Sequence, residues 1–382
     1  MPFPIARLRQ PRRVRAGASL VAAGVVALLA AGCSRRGSTD QVAIGLAAQA
    51  QSPTNLSTKQ GAELAIARLN EQRPRGAPRF ILRTVPSSLE LAVPIATALR
   101  DDPDVVGVVG HTDSRSSLES VPVYEDVEHG GENAVVAISP VSTTILLSGR
   151  SRWVFRVCPN DTVNSRAAAR FALDSLHSRR ATMMYRNDVY GTGWSRAFTA
   201  NYEAGGGAVV GRAPHLARMT EWDAYAGLIR KQAPDLVLFP GGPQDAETLI
   251  RDLRALGSEP RMIGGDGFST MEEHAKEFAG VYYISFFLPT RPPNDQAREF
   301  VAEFQRRYRL PPDQRAALAY DATMLIGRAV MAVGPDRAKI RDWVEEIGSK
   351  RPAMVGVTGP IAFDANHDVV DKPVIIARVG GS

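Results

Sequence analysis

Cysteine is nearly absent from this chain: Cys33 and Cys158 are the only two in 382 residues. Two thiols cannot build a disulfide framework, and without a CxxC pair they exclude a structural zinc or iron–sulfur centre. Histidine is scarce as well. The six present (His111, His129, His177, His215, His274 and His367) stand without ligand spacing, so neither metal nor cofactor is implied. GxSxG, HExxH, the P-loop and a GxGxxG after an apolar run are all missing, which removes the common hydrolase, metalloprotease and nucleotide-binding signatures. Repeats and low-complexity tracts are missing too. What remains is 44% hydrophobic and 23% charged, the balance of a globular protein long enough for two domains.

A surplus of positive charge is confined to one end. Lysine and arginine number 46 against 40 acids, a formal net charge of +6. Five of the arginines (Arg7, Arg9, Arg12, Arg13 and Arg15) fall in residues 1–15, which hold no acid, and seventeen uncharged residues, 16–32, follow. This is the n-region and h-region order of a secretory signal. The run ends Leu28-Leu29-Ala30-Ala31-Gly32-Cys33 and resembles the lipobox of bacterial lipoproteins. That resemblance implies a signal peptide over 1–32, a lipid on Cys33, and a lipidated N-terminus and linker over 33–40. An uncleaved membrane anchor is the competing reading, although the run falls short of the ~20 residues that span a bilayer. Removing the leader leaves 41 basic residues (46 − 5) against 40 acidic ones. The mature chain is then close to neutral, and a nucleic-acid partner is not expected.

From residue 42 onward, short valine- and isoleucine-rich runs alternate with helical patterns, which predicts α/β domains with largely parallel sheets. Strands are expected over 42–47, 79–85, 105–109, 134–138, 181–185, 208–212, 236–239, 262–264 and 282–287. Helices are expected over 57–72, 89–99, 164–176, 194–204, 223–231, 246–256, 296–308 and 316–333. The first of these carries Ser57 and Gln60 at capping-box spacing.

Open α/β sheets bind ligands at the carboxyl ends of their strands, so the loops there are where chemistry is sought. Gly110-His111-Thr112-Asp113-Ser114 leads into a helix, where Ser114 can hold an anion; Ser116 and Glu119, at capping-box spacing, offer plain capping instead. Ser139-Pro140-Val141-Ser142-Thr143 supplies hydroxyls on a non-helical backbone, and Tyr190 stands beside Gly191 and Gly193, able to lay a ring over a ligand. Gly265-Asp266-Gly267 sets a carboxylate among glycines, either a counter-ion for an ammonium group or an Asx-turn. His111 with Asp113 is the one local pair that invites an acid–base or metal reading, and the loop reading is preferred. Cys158 reads as a buried free thiol and Tyr320 as core.

Taken in order, Gly61-Ala62-Glu63, Val109-Gly110-His111 with Ser114, Ile138-Ser139-Pro140 with Thr143, Val154-Phe155-Arg156, Tyr190-Gly191, Gly265-Asp266-Gly267, Tyr320-Asp321-Ala322 and Gly359-Pro360-Ile361 resemble the leucine/isoleucine/valine-binding protein family. These are type I periplasmic solute-binding proteins of ABC transporters. The resemblance implies two Rossmann-like lobes joined by three crossings, with a ligand cleft between them. The first lobe would hold 41–157 and about 288–357, the second 158–287 and about 358–382.

Carried over by position, Ser114 would meet the ligand α-carboxylate and Thr143 its carboxylate and amino groups. The carbonyl of Val141 and the carboxylate of Asp266 would meet the ammonium, with Tyr190 as an aromatic cover. Two departures bear on specificity. Pro243 and Gln244 stand where the family has an aromatic, and Asp113 replaces a cysteine and adds charge beside the cleft. A polar or cationic amino acid, or another small amine, fits as well as a branched-chain one. The resemblance further implies no enzyme activity, a monomer, an ABC permease as partner, and attachment to a bacterial membrane through the N-terminal lipid. A sensory lipoprotein of the same fold, reporting to a membrane receptor, is the alternative.

Overall fold

Valine- and isoleucine-rich runs bounded by polar turns become strands buried on both faces, as parallel sheets covered by helices require. The computed structural model describes residues 40–48, 53–85 and 91–381, so the leader, Cys33 and the linker 34–39 lie outside the described residues. The first part of the chain gives β1 (Gln41–Ala47), α1 (Pro53–Gln72), β2 (Arg79–Thr84), α2 (Ala92–Asp101), β3 (Val105–Gly110), α3 (Ser114–Tyr124), β4 (Ala137–Ser139) and β5 (Val154–Arg156). These strands pair in parallel in the order β2-β1-β3-β4-β5. Every residue of β3 is buried, as befits a strand covered on both sides.

A second lobe follows with α4 (Asp161–Arg170), a π turn at Phe171–Ser175, β6 (Arg180–Arg186), α5 (Val189–Ala204), β7 (Ala208–His215), α6 (Asp223–Gln232), β8 (Leu236–Phe239), α7 (Pro243–Ala255) and β9 (Arg261–Gly264). A 3-10 helix at Asp266–His274 then runs into α8 (Ala275–Phe278) and β10 (Tyr282–Ser285). The chain returns to the first lobe as α9 (Asp295–Tyr308), α10 (Gln314–Val333) and α11 (Arg337–Glu345), forms the hairpin β11 (Met354–Gly356) and β12 (Gly359–Ile361), and ends with β13 (Ile375–Arg378). The second sheet runs β13-β10-β9-β8-β6-β7, parallel except that β13 adds to β10 antiparallel as an edge. Three crossings therefore join the lobes: after β5, after β10 and after β12.

The helix α10 is long and apolar enough to cross a membrane, but most of it is buried as the core helix of the first lobe. It crosses α1 so closely that a Cβ on Gly61 would lie 2.0 Å from the Ala316 carbonyl oxygen. The contact corrects one expectation. Ser57 does not cap α1, which already starts at Pro53; its hydroxyl bonds instead to Asp313, whose carboxylate caps α10 through the Ala316 N–H at 2.9 Å. Tyr320, on α10, is buried against Phe300 with ring centroids 4.9 Å apart, as core.

Candidate functional site

The loops that leave β3 and β4 are fastened to each other before any ligand is considered. Ser139 Oγ donates to the His111 carbonyl at 2.7 Å and accepts from the Ser142 N–H at 3.0 Å, while Ser142 Oγ and Ser117 Oγ lie 2.6 Å apart. His111 Nε2 meets the Tyr124 hydroxyl at 2.9 Å, and burial lowers this imidazole to about 4, so it is neutral. A buried, neutral ring tied to a tyrosine is a strut for the loops, not an acid–base pair with Asp113.

Asp113 is exposed and caps α3, its Oδ1 accepting from the Ser116 N–H at 2.9 Å. The capping role expected of Ser116 with Glu119 thus belongs to Asp113, because the helix begins three residues earlier than that spacing implies. Ser114, the first residue of α3, is buried, and so are Val141 and Thr143 on the neighbouring loop.

On the second lobe, Asp188 caps α5 by accepting from the Gly191 N–H at 2.8 Å and also pairs with Arg186. This cap starts α5 at Val189, so Tyr190 sits on its first turn. Tyr190 Oη donates to Asp266 Oδ1 at 3.2 Å, across the position where a Cβ on Gly265 would lie 1.8 Å from the phenol oxygen. Gly265 has no unusual backbone angle; it is small because the tyrosine occupies its side-chain space. Burial raises the Asp266 carboxyl above its ordinary range, offset first by the charge of Arg315. The two lobes meet here: Gln314 at the start of α10 donates to the Asp266 carbonyl at 2.5 Å and accepts from the Phe286 N–H at 2.9 Å.

Two residues that sequence reasoning did not select complete the site. Asp161 opens α4 directly after the first crossing, with its N–H donating to the Thr143 carbonyl at 2.8 Å. It is fully buried, and neither carboxylate oxygen has a hydrogen-bond partner. Burial raises it from 3.8 to about 7; the Thr143 side chain opposes that rise, while Asp266 and Asp188 add to it. Arg156, at the end of β5, donates to the carbonyls of Ser142 at 3.1 Å and Thr144 at 2.8 Å and to Ser148 Oγ at 2.8 Å, and pairs with Asp368 at 2.7 Å. It holds the Thr143 loop from below and ties it to the third crossing, where Asp368 lies.

The structure therefore brings Thr143, Asp161, Tyr190 and Asp266 together where the lobes meet, with Ser114 and Val141 on the two fastened loops, and leaves Asp113 at the exposed rim. Cys158, next to the crossing, is a buried free thiol. The groove of about 390 Å³ between α1 and α9 is elsewhere, and its charges already pair with each other, Arg68 with Glu299 and Arg306 with Glu303. Among the described residues no cluster of histidine, cysteine or acidic side chains could hold a metal ion.

Comparison with known proteins agrees with this arrangement. A family model described as periplasmic binding protein matches residues 41–382. An amino acid binding protein of Pseudomonas aeruginosa is 26% identical over 262 residues, covering 66% of this chain and 67% of that one. The Leu/Ile/Val-binding protein BraC3 of Rhizobium johnstonii is 25% identical over 301 residues, covering 77% and 80%. Among solved structures, an ABC transporter substrate-binding protein from Desulfitobacterium hafniense in complex with Leu superposes with a TM-score of 0.76 at 26% identity, over 88% of this chain and 97% of that one. A solute-binding protein of an ABC transporter from R. palustris in complex with benzoate shares the fold, with a TM-score of 0.76 at 20% identity over 89% and 93%. With two α/β lobes, three crossings and a buried polar site where the lobes meet, the chain belongs to the periplasmic binding protein family, as a type I solute-binding protein.

Proposed function

We propose that this protein is exported, anchored outside the cytoplasm by a lipid on Cys33, and captures an amino acid or related small amine for delivery to an ABC permease. The observation that carries the reading is the pair of buried carboxylates, Asp161 with no hydrogen-bond partner and Asp266 with one long bond from Tyr190. Buried charge is costly unless it is paired, and a ligand ammonium would pair with both. Ser114 and Thr143 then receive the ligand carboxylate, the Val141 carbonyl accepts from the ammonium, and Tyr190 covers the ligand from the second lobe.

Capture works by hinge closure: a ligand held first by one lobe gains the second lobe's contacts only in the closed state, and so shifts the population toward it. The hinge runs through the three crossings, after β5, β10 and β12, so the first lobe takes in β12 and the last crossing lies beyond the expected boundary near 357. The work is binding and release, with no bond made or broken. The names of the relatives support an amino acid as ligand; the benzoate-bound neighbour marks the fold as open to acids that carry no amine.

A thermal-shift screen of the cleaved protein against amino acids and small amines tests the reading. A ligand at a hundred times its dissociation constant adds about 2.7 kcal/mol to the folded state, a clear rise in melting temperature. A screen in which amines leave the melting curve in place, while benzoate raises it, removes the amine site.

A further inference from the structure

The amine reading leaves a charge imbalance at the site. Asp161 and Asp266 come from different lobe elements, are both buried, and repel one another. The groups that act on Asp161 do little to neutralise it. From β5, Arg156 faces it, but that guanidinium is committed to two carbonyls, Ser148 and Asp368. From α5 come Asp188, already paired with Arg186, and Gly193, whose side-chain position lies 3.8 Å from Asp161 Oδ2 and brings no donor. From the 3-10 helix comes Asp266, and from the β4 loop Thr143, whose side chain favours the ionised form without completing a hydrogen bond. On its own element, the Asn160 side chain is occupied by Thr162 N–H, Val163 N–H and Asp368. The α4 N-terminus favours an anion at Asp161, but only modestly.

Resting on the proposed function, we infer that ligand capture is an exchange of cations: the empty site holds a proton on Asp161, and the incoming ammonium displaces it. The Asp161 O–H bond breaks and its proton passes to solvent buffer. The ligand keeps all three ammonium N–H groups, which then face the freed carboxylate and Asp266. The positive charge of the site is unchanged by the exchange, so the buried cluster is never left with two bare carboxylates. Rising acidity therefore competes with the ligand, and release is favoured at low pH.

Isothermal titration of the cleaved wild-type protein with L-leucine, L-lysine and putrescine tests this in pairs of buffers with different ionisation enthalpies. Leucine keeps its charges throughout pH 6 to 8, so a buffer-dependent heat reports the protein. The expected result is release of close to one proton per ligand at pH 6, release near zero at pH 8.5, and affinity about tenfold weaker at pH 6 than at pH 8. Asp161→Asn should remove both the proton release and the pH dependence from whatever binding persists. Since the wild-type measurement stands alone, the test survives if that variant does not fold. Binding of any of the three probes without proton release overturns the exchange and leaves the amine site standing. Release that persists in Asp161→Asn overturns the assignment to Asp161. Failure of all three probes to bind overturns the amine site and the exchange together.

Discussion

Replacing Arg156 by methionine should cost both stability and affinity, and the structure sets the scale. The guanidinium is 1% exposed and makes four polar contacts, three to the Ser142–Ser148 stretch and one to Asp368. Methionine fills much of the same volume, so the loss is chiefly electrostatic. Asp368 keeps its bonds from Ser148 and Asn160, both at 2.7 Å, but loses, among the described residues, its one ion-pair partner in a buried setting. Breaking one side of a buried pair costs about 3–5 kcal/mol, and the orphaned Thr144 carbonyl falls within that range. A second variant separates charge from packing. In Arg156→Met with Asp368→Asn no lone charge remains, and about half of the loss should return. Urea unfolding followed by both tryptophan fluorescence and far-ultraviolet circular dichroism measures the stabilities, with coincident transitions required before a free energy is assigned. Ligand titration of the same proteins should show more than tenfold weaker binding, because the Thr143 loop has lost its support. A single variant within about 1 kcal/mol of wild type, with a double variant no better, would refute the view that a buried ion pair braces the ligand loop.

Other outcomes follow from single contacts. Gly265→Ala places a methyl where the Tyr190 hydroxyl lies; the ring must swing away from Asp266, so ligand affinity should fall at least tenfold in calorimetry while the melting temperature barely moves. Asp161→Asn should stabilise the ligand-free protein increasingly as pH rises. The folded-state value of Asp161 is raised, so the wild-type penalty grows from about 3.8 to about 7 and is flat above. At roughly 1.4 kcal/mol per pH unit this amounts to at most about 4 kcal/mol, to be read from urea midpoints at pH 4, 6 and 8. An equal difference at all three would contradict the buried-carboxyl account. Cys158 is fully buried, and burial pushes its thiol far up, so a thiol reagent such as dithionitrobenzoate should leave the native protein untouched and react once it is unfolded in guanidinium.

Local sequence already carried most of the fold, because parallel strands buried on both faces must be written in apolar residues. The strand over 236–239 coincides with β8, and the alternation of strands with helices was sufficient for two α/β lobes. Errors arose where a local signal had a tertiary owner. The helix expected from Trp194 begins at Val189, because Asp188 caps it through the Gly191 N–H, and Gly191 is required there, as a Cβ would meet the Arg186 carbonyl oxygen at 2.1 Å. The helix α11 and the short strands β5 and β13 were not expected, because a three- or four-residue strand is defined by its neighbours in the sheet and not by its own pattern.

By itself the sequence determined the α/β class and the strand-end loops where a site is to be sought, and it set the expectation of an export leader whose removal would leave a near-neutral chain. Ser114, Thr143, Tyr190 and Asp266 drew notice as candidates because hydroxyls, glycines and a carboxylate at strand ends stand out, whereas Val141 came only from the family resemblance. Asp161 was not, since an acid at the start of a helix is common and stabilising on a surface. Only the tertiary structure buries that acid against Asp266, and only there does the same carboxylate become costly. Arg156 was noticed only as part of the Val154-Phe155-Arg156 motif, and its bracing contacts appear only once the fold closes around it. The chain can encode where polar groups fall along its length. Whether water can reach them is decided by the packing of the two lobes, and desolvation is what makes a charge on an otherwise ordinary aspartate costly unless it is paired.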